Sequence, residues 1–454
     1  MKNAMKKQID MTSGPLFKNL LKVALPLAFS GILQLIFNAA DLIVVGRFSQ
    51  TPDESIAAVG STGSLVGLII NLALGLSVGA NVVMAQALGG KNGEKAVRTM
   101  HTAILLALFC GVLMGGVLLV GAPTFLTWMD SPTSVIGKST LYLRIYALGI
   151  PANILYNFGA AILRAKGDTT RPMIFLTVAG VVNVGLNILL VLLGFDVAGV
   201  AIATAVSHYI SAFLLILALC KETDVCRLEG KKLRLHREEL IDIIKIGLPS
   251  GILSCCFSLS NVIIQTAING FGDVLTSANS VAGNIEGFVY TSMNAVAMAA
   301  LTFSGQNFGA KKYERIPKIM GVSCLLVLLV WTVIGGLVLL LRAQIAGLYN
   351  ANPEIIQYAA ARMLTIVPFY ALCAFNDVFV SGLRSMNRTV GPMFISLFCT
   401  CIFRILWVFT ACKIIAEPFM LYLSYPISWT LNLSLAVLYF IVVYKKTLKK
   451  AKNG

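Results

Sequence analysis

Long apolar segments alternate with short polar segments along the whole chain. Many apolar segments exceed the roughly 18–20 residues with which a helix crosses a bilayer, and they are apolar on every side. We expect twelve spanning helices, at about residues 17–46, 56–85, 98–122, 138–163, 171–194, 197–220, 239–269, 274–304, 316–342, 355–383, 390–413 and 418–444. The pattern therefore predicts an all-α polytopic membrane protein with 12 transmembrane helices.

The chain contains an internal repeat. The segment QALGGK beginning at Gln86 returns as QNFGAK at Gln306, and RAKGDTTRPM beginning at Arg164 returns as RSMNRTVGPM at Arg384. With six helices in each copy, both copies enter the membrane from the same side. This predicts two six-helix lobes related by a pseudo-twofold axis along the membrane normal, an arrangement typical of transporters.

The predicted domain organisation follows the repeat. Residues 1-220 form an N-terminal lobe, 221-238 a charged cytoplasmic linker typical of a solvated connector, and 239-454 a C-terminal lobe. The sequence has no phosphate-binding loop of the form GxxxxGK[ST]. Transport would therefore draw on an ion gradient or run downhill, and not on ATP.

The chain carries a formal net charge of +16, but its basic residues are scattered over many short loops. They are concentrated in alternate connections, and this positive-inside asymmetry predicts that both termini are cytoplasmic. We expect a multi-pass protein of the cytoplasmic (plasma) membrane that functions as a monomer. Its expected partners are membrane lipid and a small organic substrate, with no nucleic-acid role.

Neither cysteine nor histidine predicts a metal site. Most of the 10 cysteines lie inside apolar segments, where cysteine acts as a small hydrophobic residue. The 3 histidines are scattered, whereas zinc needs clustered ligands. We therefore expect no cofactor apart from a coupling ion, H⁺ or Na⁺.

The first predicted helix has a polar face that includes a carboxylate. Gln34, Asn38 and Asp41 occur at i, i+4 and i+7. Charges inside spanning helices are costly and rare, so Asp41 indicates a functional site. Pro26 frees a backbone carbonyl on the same helix, which predicts a hinge.

Amides on neighbouring helices lie at a similar depth in the membrane. Counted from the cytoplasmic ends of their helices, Asn183 and Asn187 reach the depth of Asp41, which predicts one polar cluster inside the first lobe. Further polar pairs at i, i+4 are Asn153 with Asn157 and Thr204 with His208. The alternative interpretation is that these side chains only join helices by hydrogen bonds.

The second lobe is built differently. Asn261 and Gln265 repeat the polar face on the seventh helix, but no acid matches that of the first helix. Glu286 and Arg404 reach comparable depths and are expected to pair, as a structural element or as a lock on one conformation. Alternatively, Glu286 faces a cavity and attracts cations. The candidate substrate cavity comprises Gln34, Asn38, Asn261, Gln265, Glu286, Asp377 and Arg404.

Several motifs together resemble the multidrug and toxic compound extrusion (MATE) family, and the resemblance covers almost the whole chain. They are the Leu-Pro pairs at Pro26 and Pro249, Asp41-x-x-x-x-Gly46-Arg47, Gln86-x-x-Gly89, Gly199-Val-Ala-Ile-Ala-Thr204 and Gly305-Gln306-Asn307-Phe-Gly309-Ala310. The resemblance implies two six-helix lobes, alternating access, and exchange of H⁺ or Na⁺ for organic, often cationic, compounds.

The resemblance also implies roles for individual residues. Asp41 resembles the aspartate that takes the coupling ion, and Pro26 resembles a proposed bending point. The chain departs from the pattern at Asn187, where many members have a second aspartate, and the seventh helix lacks the glutamate of another branch. The expected ion-coupling residues are Asp41, Asn153, Asn157, Asn183, Asn187 and Thr204.

The expected function is therefore a cation-coupled secondary antiporter that exports organic, cationic or amphipathic compounds. One alternative is a flippase or exporter of a lipid-linked or natural-product precursor. A polytopic membrane enzyme is disfavoured, because the outer loops are short and almost uncharged. A sensor built on an inactive transporter is a further alternative.

Overall fold

Twelve long helices account for most of the residues that the structure describes. The structure is a computed structural model that describes residues 10–49, 51–129, 134–415 and 417–453, and these residues form no strand. The helices are α1 (Leu16–Phe48), α2 (Pro52–Gly89), α3 (Gly93–Trp128), α4 (Ile136–Ala165), α5 (Thr170–Leu192), α6 (Asp196–Cys220), α7 (Arg237–Asn269), α8 (Asp273–Gly309), α9 (Arg315–Leu340), α10 (Pro353–Ser385), α11 (Val390–Ile414) and α12 (Pro418–Asn453). Each predicted spanning segment overlaps one of them, so the predicted fold class is confirmed.

The helices differ in polarity. Eleven of those in the described residues are long and apolar enough to cross a membrane. The other, α8, has 37 residues, which is also long enough, but it carries many hydroxyl and amide side chains and Glu286. Its polar residues contribute to the candidate site of the second half of the chain.

Helix α10 is interrupted near its middle. A 3₁₀ turn at Val367–Phe369 separates the α-helical segments Pro353–Ile366 and Tyr370–Ser385. The turn contains Pro368, which has no N–H to donate to the helix. The interruption lies between Arg362 and Tyr370, whose side chains both contact the carboxylate of Glu286.

The internal repeat is visible in the backbone. Lys91 and Lys311 have φ values of 54° and 58°, directly after the ends of α2 and α8. Gly167 and Asn387 have φ values of 96° and 60°, after α4 and α10. These are left-handed conformations at equivalent positions, and asparagine is one of the few residues that tolerate them. The two halves therefore use the same helix-ending turns.

The described residues form two compact units. One is Phe29–Gly251, and the other consists of residues 10–28 and 252–453. The division therefore passes through α1 and α7, close to Pro26 and Pro249, and not through the loop at 221–238. In the second unit, Asn307 Nδ2 donates to the Met11 carbonyl at 2.9 Å.

Small residues allow α2 and α7 to approach closely inside the first unit. A Cβ added at Gly75 would lie 2.1 Å from the Gly251 nitrogen, and one at Gly79 would lie 2.3 Å from the Ile243 carbonyl oxygen. Gly75 and Gly79 are four residues apart, as are Gly247 and Gly251. This is the small-xxx-small packing of membrane helices.

The first part of the linker packs on the first unit. Lys166 forms ion pairs with Glu222 and Asp224, and Arg171 pairs with Glu222 at 2.5 Å. Burial lowers the pKa of Lys166, but hydrogen bonds to the two carboxylates outweigh it and raise the pKa overall. Cys226 is fully buried, and burial raises its pKa to about 12. The side chains of Glu222 and Cys226 are therefore packed, whereas Lys221, Thr223, Asp224 and Arg227 are exposed.

Gly75→Ala is expected to destabilise the protein, because the added methyl group would overlap the α7 backbone. The cost is about 1–3 kcal/mol, typical of overpacking, and would appear as a lower melting temperature in detergent. Gly67→Ala on the same helix is the control, because a Cβ there meets nothing within 4 Å. Equal melting temperatures for the two variants would contradict this packing.

Cys226 is expected to resist N-ethylmaleimide at pH 8, because the reagent attacks the thiolate and this thiol is buried with a raised pKa. Cys220 is exposed and serves as the internal control. Mass spectrometry of peptides from the labelled native protein separates the two sites. Rapid labelling of Cys226 would show that the linker is not packed as described.

Candidate functional site

Asp41 lies in a polar cluster of the first unit. Asn187 Nδ2 donates a hydrogen bond to Asp41 Oδ1 and lies 3.4 Å from Asn183 Oδ1. Asn183 Nδ2 in turn donates to Thr204 Oγ1 at 3.4 Å. Asn183 and Asn187 are buried, whereas Asp41 is half-buried. The structure thus connects α1, α5 and α6 through four of the predicted ion-coupling residues.

A glycine allows α1 to reach α5 at this level. A Cβ at Gly180 would lie 1.8 Å from the Phe37 ring, so only glycine permits the observed approach. Phe37 is one turn before Asp41, and Gly180 is about one turn before Asn183. The close contact therefore positions the carboxylate opposite the two amides of α5.

Asp41 has no cationic partner within 4 Å in the described part of the chain, and its one hydrogen-bond donor there is Asn187. It interacts electrostatically with Tyr142 and Tyr146 of α4. A charge in a water-poor site is costly unless it is paired. A proton or a metal cation would supply the missing compensation.

Asn153 and Asn157 belong to a second polar set. Asn153 Nδ2 lies 3.1 Å from His208 Nε2, and Asn157 Nδ2 donates to Asn153 Oδ1 at 3.0 Å. The rings of His208 and Tyr146 are in edge contact, with centroids 5.7 Å apart. Tyr146 therefore connects this set to the surroundings of Asp41. Sequence reasoning missed Tyr146, because a tyrosine in an apolar helix resembles ordinary packing.

The remaining predicted residues of α1 are not part of this cluster. Gln34 and Asn38 are exposed and form no hydrogen bond with the described residues. Pro26 lies inside α1, which is helical from Leu16 to Phe48. Its role as a hinge stays a prediction.

The second unit contains a buried ion pair. Arg362 Nε and Nη2 contact Glu286 Oε1 and Oε2 at 3.0 and 2.8 Å. The arginine and glutamate side chains are only 6% and 2% exposed. Tyr370 donates to Glu286 Oε2 at 3.2 Å, and Arg362 also donates to Asn279 Oδ1. Both charges are therefore compensated by geometry typical of a strong bidentate pair.

The expected pairing of Glu286 with Arg404 is wrong. Arg404 Nε donates to Ser428 Oγ at 3.0 Å, and its guanidinium lies 4.2 Å from the centroid of the Tyr425 ring. Sequence reasoning missed Arg362, although it lies inside a predicted spanning segment, where a charge is a signal in its own right.

A cavity of about 510 Å³ opens beside the ion pair within the second unit. Its lining includes polar and aromatic side chains, among them Asn261, Gln265, Asn279, Ser280, Asn284, Glu286, Arg362, Tyr370 and Tyr425. The structure thus brings together three residues of the predicted substrate cavity. Asn279 Nδ2 donates to Gln265 Oε1 at 2.5 Å.

Asp377 lies outside this lining. It accepts hydrogen bonds from Tyr290 Oη at 3.1 Å and Asn294 Nδ2 at 3.2 Å. Its described neighbours form a separate polar group on α8 and α10. Among the described residues there is no group of three or more His, Cys, Asp or Glu that could hold a metal ion.

Comparisons with known proteins match both halves of the chain. A model of the MatE family matches residues 26–189 and 249–410, one segment in each half of the chain. Probable multidrug resistance protein YoeA of Bacillus subtilis (strain 168) is 26% identical over 435 residues, which cover 93% of this chain and 92% of that protein. These similarities point to a membrane transporter and not to an enzyme.

Solved structures share the fold over nearly the whole length. A crystal structure of a MATE in complex with MaL6 has a TM-score of 0.90 at 20% identity, covering 99% of this chain and 100% of that one. An outward-facing multidrug resistance MATE family transporter has a TM-score of 0.89 at 21% identity, with coverage of 98% and 99%. At these identities the likeness establishes the fold alone.

Glu286→Gln is expected to destabilise the second unit, because it leaves the Arg362 charge buried without its partner. Breaking a buried pair in this way costs about 3–5 kcal/mol. The double variant Glu286→Gln/Arg362→Gln should recover much of that loss. Melting temperatures in detergent test this, and a double variant less stable than the single variant would contradict the pairing.

Proposed function

The chain belongs to the multidrug and toxic compound extrusion (MATE) family, and from that premise we propose that it is an H⁺- or Na⁺-coupled antiporter. Family membership makes it a secondary transporter that exports compounds across the membrane in which its helices are embedded. The coupling ion and the organic, cationic or amphipathic character of the cargo belong to the proposal. So do the cytoplasmic location of both termini and a monomer as the working unit.

The observation that carries the proposal is the environment of Asp41. Its carboxylate receives one amide hydrogen bond from Asn187 and has no cationic partner within 4 Å among the described residues. The helices around it are apolar, so its charge is inadequately compensated. Binding of a cation at this position changes the local charge by one unit, which is what ion coupling requires.

The hydrogen bond between Asp41 and Asn187 indicates how protonation of Asp41 would change the structure. An ionised Asp41 accepts from the Asn187 amide nitrogen, as observed. A protonated Asp41 would instead donate, and the amide oxygen of Asn187, which is buried and has no hydrogen-bond partner among the described residues, could accept after the amide turns. Protonation would therefore change the contact between α1 and α5.

Helix α1 offers a route from this contact to the rest of the protein. Residues 16–28 of α1 belong to one compact unit and residues 29–48 to the other. Pro26 lies next to this division and weakens the helical hydrogen bonding there. We propose that neutralising Asp41 alters α1 near Pro26, and that ion and cargo favour different states. Such differential affinity drives exchange.

The local ligand set favours H⁺ over Na⁺. A sodium site needs several oxygen ligands, but Asp41 is the one carboxylate of this cluster among the described residues, and the Asn187 atom that contacts it is a donor nitrogen. The Thr204 oxygen already accepts a hydrogen bond from Asn183 Nδ2 at 3.4 Å. A proton needs only the carboxylate and one acceptor.

Asp41→Asn is expected to abolish gradient-driven efflux while leaving the protein folded, because a neutral amide cannot take up the coupling ion. The measurement uses proteoliposomes with a pH gradient or a Na⁺ gradient imposed separately, and with ethidium and riboflavin as fluorescent cargo. Efflux under the pH gradient alone would identify H⁺ as the coupling ion.

Asp242→Asn is the matched control. Asp242 is a partly exposed carboxylate that pairs with Lys95 at 3.0 Å, and its loss should leave efflux unchanged. Normal efflux by Asp41→Asn, at wild-type levels of folded protein, would remove Asp41 from the mechanism.

A further inference from the structure

The lining of the cavity in the second unit contains one negative and one positive side chain, which form an ion pair with each other. Among the described residues that line it, Glu286 is the one acidic side chain and Arg362 is the one basic side chain. Their two contacts of 3.0 and 2.8 Å align the guanidinium with the carboxylate. An organic cation inside the cavity would be attracted by one group and repelled by the other at a similar distance. The pair therefore provides little net field for a cation.

A second arginine makes the surroundings more positive. The Arg404 guanidinium lies 4.2 Å from the centroid of the Tyr425 ring, which itself lines the cavity. Arg362 lies 5.7 Å from the same centroid. The electron-rich face of Tyr425 is therefore already engaged by protein cations and offers little cation–π attraction to a ligand.

The uncharged lining supplies hydrogen bonds of both kinds. The amides of Asn261 and Asn284 are exposed and form no hydrogen bond with the described residues. Each provides donors and an acceptor. Ser280 and Gln265 add further polar groups, and Tyr370 adds an aromatic side chain. This lining matches a ligand that itself carries adjacent donors and acceptors.

We propose that this cavity binds uncharged, planar organic molecules bearing amide or imide groups, and that it discriminates against organic cations. This inference rests on the proposed function, since the bound molecule would be exported cargo, and it narrows the proposed cargo from cationic or amphipathic compounds to uncharged amphipathic ones. A volume of about 510 Å³ lies within the range of small-molecule sites and accommodates a fused-ring system. Because its two charges cancel, the Glu286–Arg362 pair gives an organic cation no net attraction, while Asn261 and Asn284 recognise the polar edge.

The direct test is binding to purified protein in detergent, which requires no ion gradient. Riboflavin is the neutral probe, with a fused ring system and an imide edge, and ethidium is the cationic probe. Fluorescence titration should show riboflavin binding at least 10-fold more tightly than ethidium. The double variant Asn261→Leu/Asn284→Leu should weaken riboflavin binding by 10-fold or more, because polar ligand groups would lose their partners.

Charge variants test the role of the pair. Arg362→Gln leaves the Glu286 charge uncompensated and should raise ethidium affinity by 10-fold or more. Glu286→Gln/Arg362→Gln should return ethidium affinity to the wild-type value, and this uncharged double variant provides the comparison if Arg362→Gln does not fold. Glu354→Gln, an exposed acid on the same helix α10, is the control and should change neither affinity.

Three results would overturn the proposal. They are tighter binding of ethidium than of riboflavin by the wild type, no binding of riboflavin by the folded wild type, or riboflavin binding that is unaffected by Asn261→Leu/Asn284→Leu. Asp41→Asn separates this proposal from ion coupling, because it should retain riboflavin binding while efflux is lost. A variant that loses ion-coupled efflux but still binds riboflavin tests the role of Asp41. A variant that loses riboflavin binding but keeps ion coupling tests the role of the cavity.

Discussion

A charged side chain within an apolar helix of this protein needs a partner inside the bundle, because the surrounding lipid offers none. This constraint organises both halves. Arg362 meets it completely by pairing with Glu286 and Asn279. Asp41 meets it only in part, through the Asn187 amide. The fully compensated ion pair is suited to stabilising the structure. The carboxylate of Asp41, which lacks a compensating positive charge, is suited to binding a cation.

Close helix contacts make these partnerships possible. Gly180 admits the Phe37 ring and so brings the carboxylate of α1 to the amides of α5. Gly75 and Gly251 allow α2 and α7 to meet at the backbone. Without a hydrophobic force between helices in lipid, such close packing supplies much of the attraction that holds them together. The glycines therefore contribute to the site although none of them carries chemistry.

The two halves share backbone turns but differ in chemistry. Left-handed residues recur at Lys91 and Lys311 after equivalent helices. In the part of the chain that the structure describes, the first half has a carboxylate without a cationic partner within 4 Å, whereas the second has an ion pair beside a cavity. Duplication accounts for the common scaffold. The different polar side chains within the helices are compatible with one half responding to the ion and the other recognising cargo.

The sequence by itself determined the twelve helices and the repeat, because long apolar segments can be read without knowing their neighbours. It also located Asp41 at the depth of Asn183 and Asn187, since helical rise converts residue number into depth. Depth alone could not choose between Arg362 and Arg404 as the partner of Glu286. That choice depends on how each helix is rotated about its axis and on the turn at Val367–Phe369, which only the tertiary structure decided.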